Sequence, residues 1–283
     1  MSNLRLALAQ LLVEGGEAER NFERAEKLIA QAAAEKADLV LLPETIDFAW
    51  THPRGLEESL PIPGLYSAHF CTLAKKYGVH ICVGLTEKTE QGNYNTALLI
   101  DDSGNILHQY RKINLLTVEF PYYKVGQSLT VVDTKFGKIG LNICADNYHD
   151  SLAIGHTLAR MGAQLIISPS SWTVDYGVTE LDDPYKDKWL KPFKILASYY
   201  NLIVASTTSV GYIVGGPYEG KKMVGCSMVV DKSGIVKQGV FNEFAGDLVI
   251  ADLTLPERKE KGTEIGAMLQ RRGLKPEDYL RDE

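Results

Sequence analysis

The run Leu39-Val40-Leu41-Leu42-Pro43 limits what this chain can fold into more than any other feature. Consecutive apolar residues without alternation read as a strand buried on both faces, and such strands belong to sheets covered by helices. Residues 17–36 come directly before it. They are rich in Ala and Glu, with Phe22, Ala25, Leu28, Ile29 and Ala32 at helical spacing. A helix feeding a buried strand over residues 37–43 is the unit of an α/β fold.

The rest of the chain repeats that unit. Residues 4–10 alternate apolar and polar and read as a strand. Pro61-Ile62-Pro63-Gly64 breaks the chain before a helix that runs to residue 77. Strands are expected over 79–86 and 94–101, and Asp101-Asp102-Ser103-Gly104-Asn105 turns the second of these into a strand over 106–111. A hairpin around Phe136-Gly137 joins 129–133 to 138–144. The second half continues with a helix over 149–162, a strand over 165–168, a helix over 186–200 and a strand over 202–207. Strands over 225–231 and 235–240 pair across Lys232-Ser233-Gly234, and 248–253 is the last strand. No low-complexity linker divides the chain. The simplest architecture is one domain spanning 1–283, an α/β four-layer α-β-β-α sandwich of two mixed sheets with helices outside. Residues 256–283 are charged, carry little core pattern and read as a C-terminal arm.

Charge and composition exclude several partners. Acidic residues outnumber basic ones, 36 against 30, and no basic stripe is visible, so nucleic-acid binding is disfavoured. The start, MSNLRLALAQ, lacks the apolar core of a signal peptide, and no stretch approaches membrane-spanning length. The cytoplasm is the expected compartment. Cys71, Cys82, Cys144 and Cys226 form no CxxC and suggest no disulfide framework. Cys71, Cys82 and Cys226 sit inside helix-like or strand-like runs and read as small buried hydrophobes.

Three strand-like runs end on chemistry. Glu44 closes the run 39–43, Lys112 lies in Tyr110-Arg111-Lys112-Ile113-Asn114, and Cys144 closes Lys138-Ile139-Gly140-Leu141-Asn142-Ile143. Strand ends are where an α/β scaffold presents its active groups. A carboxylate, an ammonium and a thiol can serve as base, charge stabiliser and nucleophile in covalent acyl transfer. A thiol at a strand-to-helix turn can also be activated by the helix N-terminus and nearby cations. Glu119 stands in Thr117-Val118-Glu119-Phe120-Pro121-Tyr122, an apolar and aromatic setting where a carboxylate needs a cation. Other constellations fare worse. Cys144 with His149 is weak evidence for a protease dyad. Gly215-Gly216-Pro217-Tyr218-Glu219-Gly220-Lys221-Lys222 lacks the Ser or Thr of a phosphate-binding loop, has no helix after it and reads as a hairpin loop. His80, Cys82 and Cys71 lack zinc-site spacing.

The contexts of these residues together resemble the nitrilase superfamily, the carbon–nitrogen hydrolases with a Glu–Lys–Cys triad. The matching segments are Leu42-Pro43-Glu44, Tyr110-Arg111-Lys112 and Gly140-Leu141-Asn142-Ile143-Cys144, with Glu119 ahead of Tyr122, Tyr123 and Gly126 as the second glutamate. The element order fits over residues 4–253. The chain departs from the family pattern after the nucleophile: Asp146 is kept, but the usual aromatic-Pro-Glu is replaced by His149-Asp150-Ser151. Ser168-Pro169-Ser170-Ser171-Trp172 is similar to a pocket segment of the family.

The resemblance implies an α-β-β-α sandwich, commonly paired into a homodimer or higher homo-oligomer, that needs no metal or organic cofactor. It implies a hydrolase that cuts a non-peptide C–N bond of a small amide or N-carbamoyl compound. Cys144 would attack the carbonyl, Glu44 would act as base, and Lys112 with the Ala145 backbone N–H would hold the oxyanion. Glu119 would position Lys112, and Tyr122, Asn147 and Trp172 would contact substrate. A nitrilase acting on a small nitrile and a non-catalytic binding protein on the same fold are the alternatives.

Overall fold

The computed structural model describes residues 2–183, 185–257 and 272–273. The expected arm at 256–283 therefore lies almost wholly outside the described residues.

In chain order the elements are β1 (Asn3–Gln10), α1 (Ala18–Ala34), β2 (Leu39–Leu41), α2 (Arg54–Glu58), α3 (Leu65–Tyr77), β3 (His80–Thr89), β4 (Gly92–Ile100) and β5 (Ile106–Arg111). Then come β6 (Val131–Thr134), β7 (Gly137–Leu141), α4 (Leu152–Arg160), β8 (Leu165–Ser170) and β9 (Thr173–Val174). The chain closes with α5 (Lys191–Tyr200), β10 (Ile203–Thr208), β11 (Val210–Tyr212), β12 (Lys222–Val224), β13 (Met228–Asp231), β14 (Gly234–Gln238) and β15 (Asp247–Thr254).

Two six-stranded mixed sheets carry the fold, in the orders β15-β1-β2-β3-β4-β5 and β14-β13-β10-β8-β7-β6. In each, three central strands run parallel and the flanking strands are antiparallel. Alternation along the strands builds the layers. Leu4, Leu6 and Leu8 of β1 and Leu39 and Leu41 of β2 face the second sheet, packing with Ile139, Leu141 and Ile167. Ala7, Ala9 and Val40 face the other way, onto Phe22, Ala25 and Ile29 of α1 and Phe70 and Leu73 of α3. Leu158 of α4 and Phe193 and Leu196 of α5 join the core from the second sheet's side. The four-layer α-β-β-α sandwich of two mixed sheets is the observed architecture.

The expected helix over 149–162 starts only at Leu152, after short 3-10 turns over Cys144–Asn147 and His149–Ser151. The expected helix over 186–200 opens with a wide π turn at Lys186–Leu190, and Pro192, which has no N–H to donate, stands in the first turn of α5. A third sheet, β11-β12-β9, was not expected. Its strands are two or three residues long, too short to show a period. Its hairpin loop between β11 and β12 contains residues 215–221 of the Gly-rich segment, and Lys222 opens β12.

Candidate active site

Each reactive residue is delivered by the end of a strand. After β2 the Leu42 N–H donates to the Cys82 carbonyl (2.8 Å) and the Gly84 N–H to the Pro43 carbonyl (3.1 Å), which holds the chain against β3 up to Glu44. Gly84 is required there, since a Cβ would lie 2.6 Å from the Glu44 Cα. Lys112 follows β5. Its N–H donates to the Asn95 carbonyl (2.9 Å), and its carbonyl accepts from the Gly126 N–H (2.8 Å). A Cβ on Gly126 would fall 2.0 Å from the Arg111 carbonyl oxygen, so this crossing also needs glycine.

Cys144 follows β7 with φ of 45°, the left-handed region that a β-carbon disfavours. Such a residue costs on the order of 1–3 kcal/mol and persists where its surroundings fix it. Asp146 supplies much of that hold. It accepts from the Ile143 N–H (2.9 Å), the Tyr110 hydroxyl (2.7 Å) and the Asn114 N–H (2.7 Å), while the Cys144 N–H donates to the Ser168 Oγ (3.1 Å).

The side chains converge in a buried network. Lys112 Nζ donates to Glu44 Oε1 (2.9 Å), Glu119 Oε1 (2.8 Å) and Glu119 Oε2 (3.0 Å). Asn95 donates to Glu44 Oε1 at 2.6 Å. Glu44 Oε2 is buried with no hydrogen-bond partner among the described residues. Glu119 also accepts from the Trp50 indole N–H (2.8 Å) and the Leu116 N–H (2.8 Å). The Cys144 thiol lies within the electrostatic field of Glu44, Lys112 and Glu119, beside the Ser171 backbone, which favours its ionised form.

Electrostatics set the resting protonation. Burial raises the Glu44 carboxyl above its usual range, Lys112 opposes the rise and Glu119 adds to it. Burial works against the Lys112 ammonium, yet Glu119 and Glu44 outweigh it and hold the charge. Burial, reinforced by Glu44, also raises the Cys144 thiol, and Lys112 offsets this only in part. The expected activation of the thiol by a helix N-terminus is therefore corrected. The element after Cys144 is a four-residue 3-10 turn, and burial beside a carboxylate prevails. The thiol rests protonated and needs a base.

The structure brings together Glu44, Lys112, Glu119 and Cys144. Ala145 is buried and follows Cys144 directly in the 3-10 turn, so its backbone N–H stands next to the nucleophile in the chain. Tyr122 is half-buried and packs with Trp50, Leu115 and Tyr123. Asn147 and Trp172 do not stand on an open surface. The Asn147 amide is committed to Asn142, the Cys144 carbonyl and Ser168 Oγ, so it braces the nucleophile turn. Trp172 is fully buried, stacked on Trp189 (ring centroids 4.8 Å) and edge-on to Tyr185, and its indole N–H has no partner among the described residues.

Two residues escaped the sequence reading. Trp50, the partner of Glu119, belongs to no motif. Tyr148 rests its ring on Trp189 (4.8 Å), and its hydroxyl senses Cys144, Lys112 and Glu44. An aromatic residue four positions past the nucleophile was the available signal. No group of three or more His, Cys, Asp or Glu among the described residues could hold a metal ion.

The family model for carbon-nitrogen hydrolase matches residues 5–261. This chain belongs to the carbon–nitrogen hydrolase family. It is an enzyme that hydrolyses carbon–nitrogen bonds. It is 30% identical over 187 residues to the omega-amidase NIT2 of Xenopus tropicalis, spanning 62% of this chain and 67% of that protein. It is 32% identical over 178 residues to a nitrilase of Pyrococcus abyssi, spanning 61% and 67%. The fold of this carbon–nitrogen hydrolase superposes on the carbon-nitrogen hydrolase of Helicobacter pylori G27 with a TM-score of 0.79, 22% identity and coverage of 100% and 99%. It also superposes on an amidase of Nesterenkonia sp. AN1 that carries acrylamide added at its active-site cysteine, with a TM-score of 0.76, 21% identity and coverage of 96% and 100%. No helix among the described residues of this hydrolase is long and apolar enough to cross a membrane.

Proposed function

We propose that this enzyme hydrolyses a small-molecule amide or N-carbamoyl compound through a thioester on Cys144. The observation that carries this reading is the division of labour on Glu44: Oε1 is held by Lys112 and Asn95, while Oε2 is buried without a partner among the described residues and can accept a proton.

The steps follow from the resting charges. The Cys144 sulfur attacks the carbonyl carbon as its proton passes to Glu44. Taking that proton neutralises Glu44 and weakens its hold on Lys112. All three Lys112 N–H groups are engaged by carboxylates at rest, so this release turns one toward the new oxyanion as it forms. The Ala145 N–H supplies a second donor. The intermediate collapses, the C–N bond breaks, and Glu44 returns the proton to the departing nitrogen. Water deprotonated by Glu44 then attacks the thioester and frees the acid and the thiol. Glu119 keeps Lys112 in place throughout.

The omega-amidase and amidase relatives support the amide reading over a nitrile. The buried carboxylate, ammonium and thiol support catalysis over simple binding. The reading extends to one domain over residues 1–283, a homodimer or larger homo-oligomer, and a cytoplasmic location. Incubating the purified protein with amides, N-carbamoyl compounds and nitriles and assaying ammonia tests the function. Ammonia from amides or carbamoyl compounds supports it, release from nitriles alone replaces it with a nitrilase, and no release from any overturns it.

A further inference from the structure

Glu119 is fully buried and receives four hydrogen bonds. Two come from Lys112, the group it holds, and one comes from Leu116 in its own turn. The fourth, from Trp50 Nε1, comes from the loop that starts at Glu44. That loop is constrained. Thr45, Ala49 and Thr51 have φ of 43°, 69° and 59°, and the Thr51 N–H donates to the Tyr123 hydroxyl (3.3 Å). It is also covered. Tyr218, in the hairpin loop between β11 and β12, packs its ring on the Trp50 indole (5.3 Å, 62°). Gly216 of that loop approaches so closely that a Cβ would lie 2.5 Å from the Thr51 carbonyl oxygen. The segment resembling a phosphate loop is thus a cover on the Glu44 loop.

We propose that Trp50 is a positioning residue, which ties the Glu44 loop to Glu119 and thereby fixes how the Lys112 ammonium is divided between Glu119 and the Glu44–Cys144 pair, with Tyr218 holding the indole in place. The indole N–H draws charge from Glu119 Oε1 and tempers its pull on Lys112. Without that donor, Glu119 keeps a buried, under-satisfied oxygen and draws Lys112 toward itself. Glu44 and Cys144 then lose part of the positive potential that favours their ionised forms. The titratable groups facing Glu119 are Lys112, Glu44, the Cys144 thiol and the Tyr123 hydroxyl.

The inference rests on the hydrolase reading above, so one readout is chosen that needs no substrate. Trp50→Phe keeps a ring and removes the N–H. The pH dependence of Cys144 alkylation by iodoacetamide is measured for wild type and variant, and kcat and KM on the active amide. The expected result is an acid limb moved to higher pH in both alkylation and turnover, with kcat lower by about tenfold and KM within about twofold. Unchanged acid limbs in a folded variant, whatever its melting temperature, would reduce Trp50 to packing and overturn the proposal. If Trp50→Phe does not fold, Tyr218→Ala decides: it leaves the N–H but loosens the indole, and its acid limb must move the same way. If wild type turns over no amide, the functional reading fails and the alkylation limb alone decides the role of Trp50.

Discussion

Glu44 grips Lys112 with one carboxylate oxygen at 2.9 Å and leaves the other buried and, among the described residues, unpartnered. This asymmetry separates holding from proton transfer within one side chain. It also explains how a thiol that burial keeps protonated can still serve as a nucleophile.

Activity must therefore be lost at acid pH as Glu44 takes up a proton. Burial raises the Glu44 carboxyl above 4.5, so the acid limb of kcat/KM should lie above the ordinary carboxylate range. Activity is expected above that limb and lost as pH falls through it. Glu44→Gln should lower kcat on the order of 10²–10⁴ and abolish the limb. A pH–rate series on both proteins checks this, and a variant that retains the wild-type limb would remove Glu44 from the proton path.

Glu119→Gln keeps shape and removes the charge that holds Lys112 at 2.8 and 3.0 Å. Loss of one positioned electrostatic group costs on the order of 10²–10³ in rate. Circular dichroism, melting and turnover should show a normal fold with strongly reduced rate. Near-normal turnover would leave only Glu44, Lys112 and Cys144 in the chemistry.

Much of this site can be read from the sequence because apolar runs carry Glu44, Lys112 and Cys144 to strand ends. Alternation likewise marks the two faces of β1, and an apolar setting marks Glu119 as needing a cation. Trp50 cannot be read that way. Its place depends on a loop with three non-glycine residues at positive φ, which propensity does not foresee. Asn147 shows what the sequence leaves out: its position after the nucleophile suggested substrate, and in the fold its amide also braces the turn. Side-chain saturation appears only in three dimensions.

Asp47, in the Glu44 loop, is a buried carboxyl whose titration should appear in stability. Its carboxyl is raised by burial from 3.8 to about 6, although the Thr86 and Phe48 N–H groups donate to it. The folded protein therefore holds a proton that the unfolded chain has already released. This contribution to stability is full below 3.8 and is lost as pH rises through about 6. The span is worth about 3 kcal/mol. Denaturant unfolding of wild type and Asp47→Asn across pH 4 to about 7 should show wild type losing ground to the variant by roughly that amount. A constant gap would show that Asp47 does not titrate in this range.

The central claim, a covalent thioester on Cys144, is tested most directly by acid-quenching the enzyme during turnover of its amide and mapping the cysteines by mass spectrometry. The account predicts the acyl mass on the Cys144 peptide, absent from Cys71, Cys82 and Cys226, and absent from Cys144→Ala, which releases no ammonia. Ammonia released at the wild-type rate by Cys144→Ala, or the acyl group found on another cysteine, would contradict it.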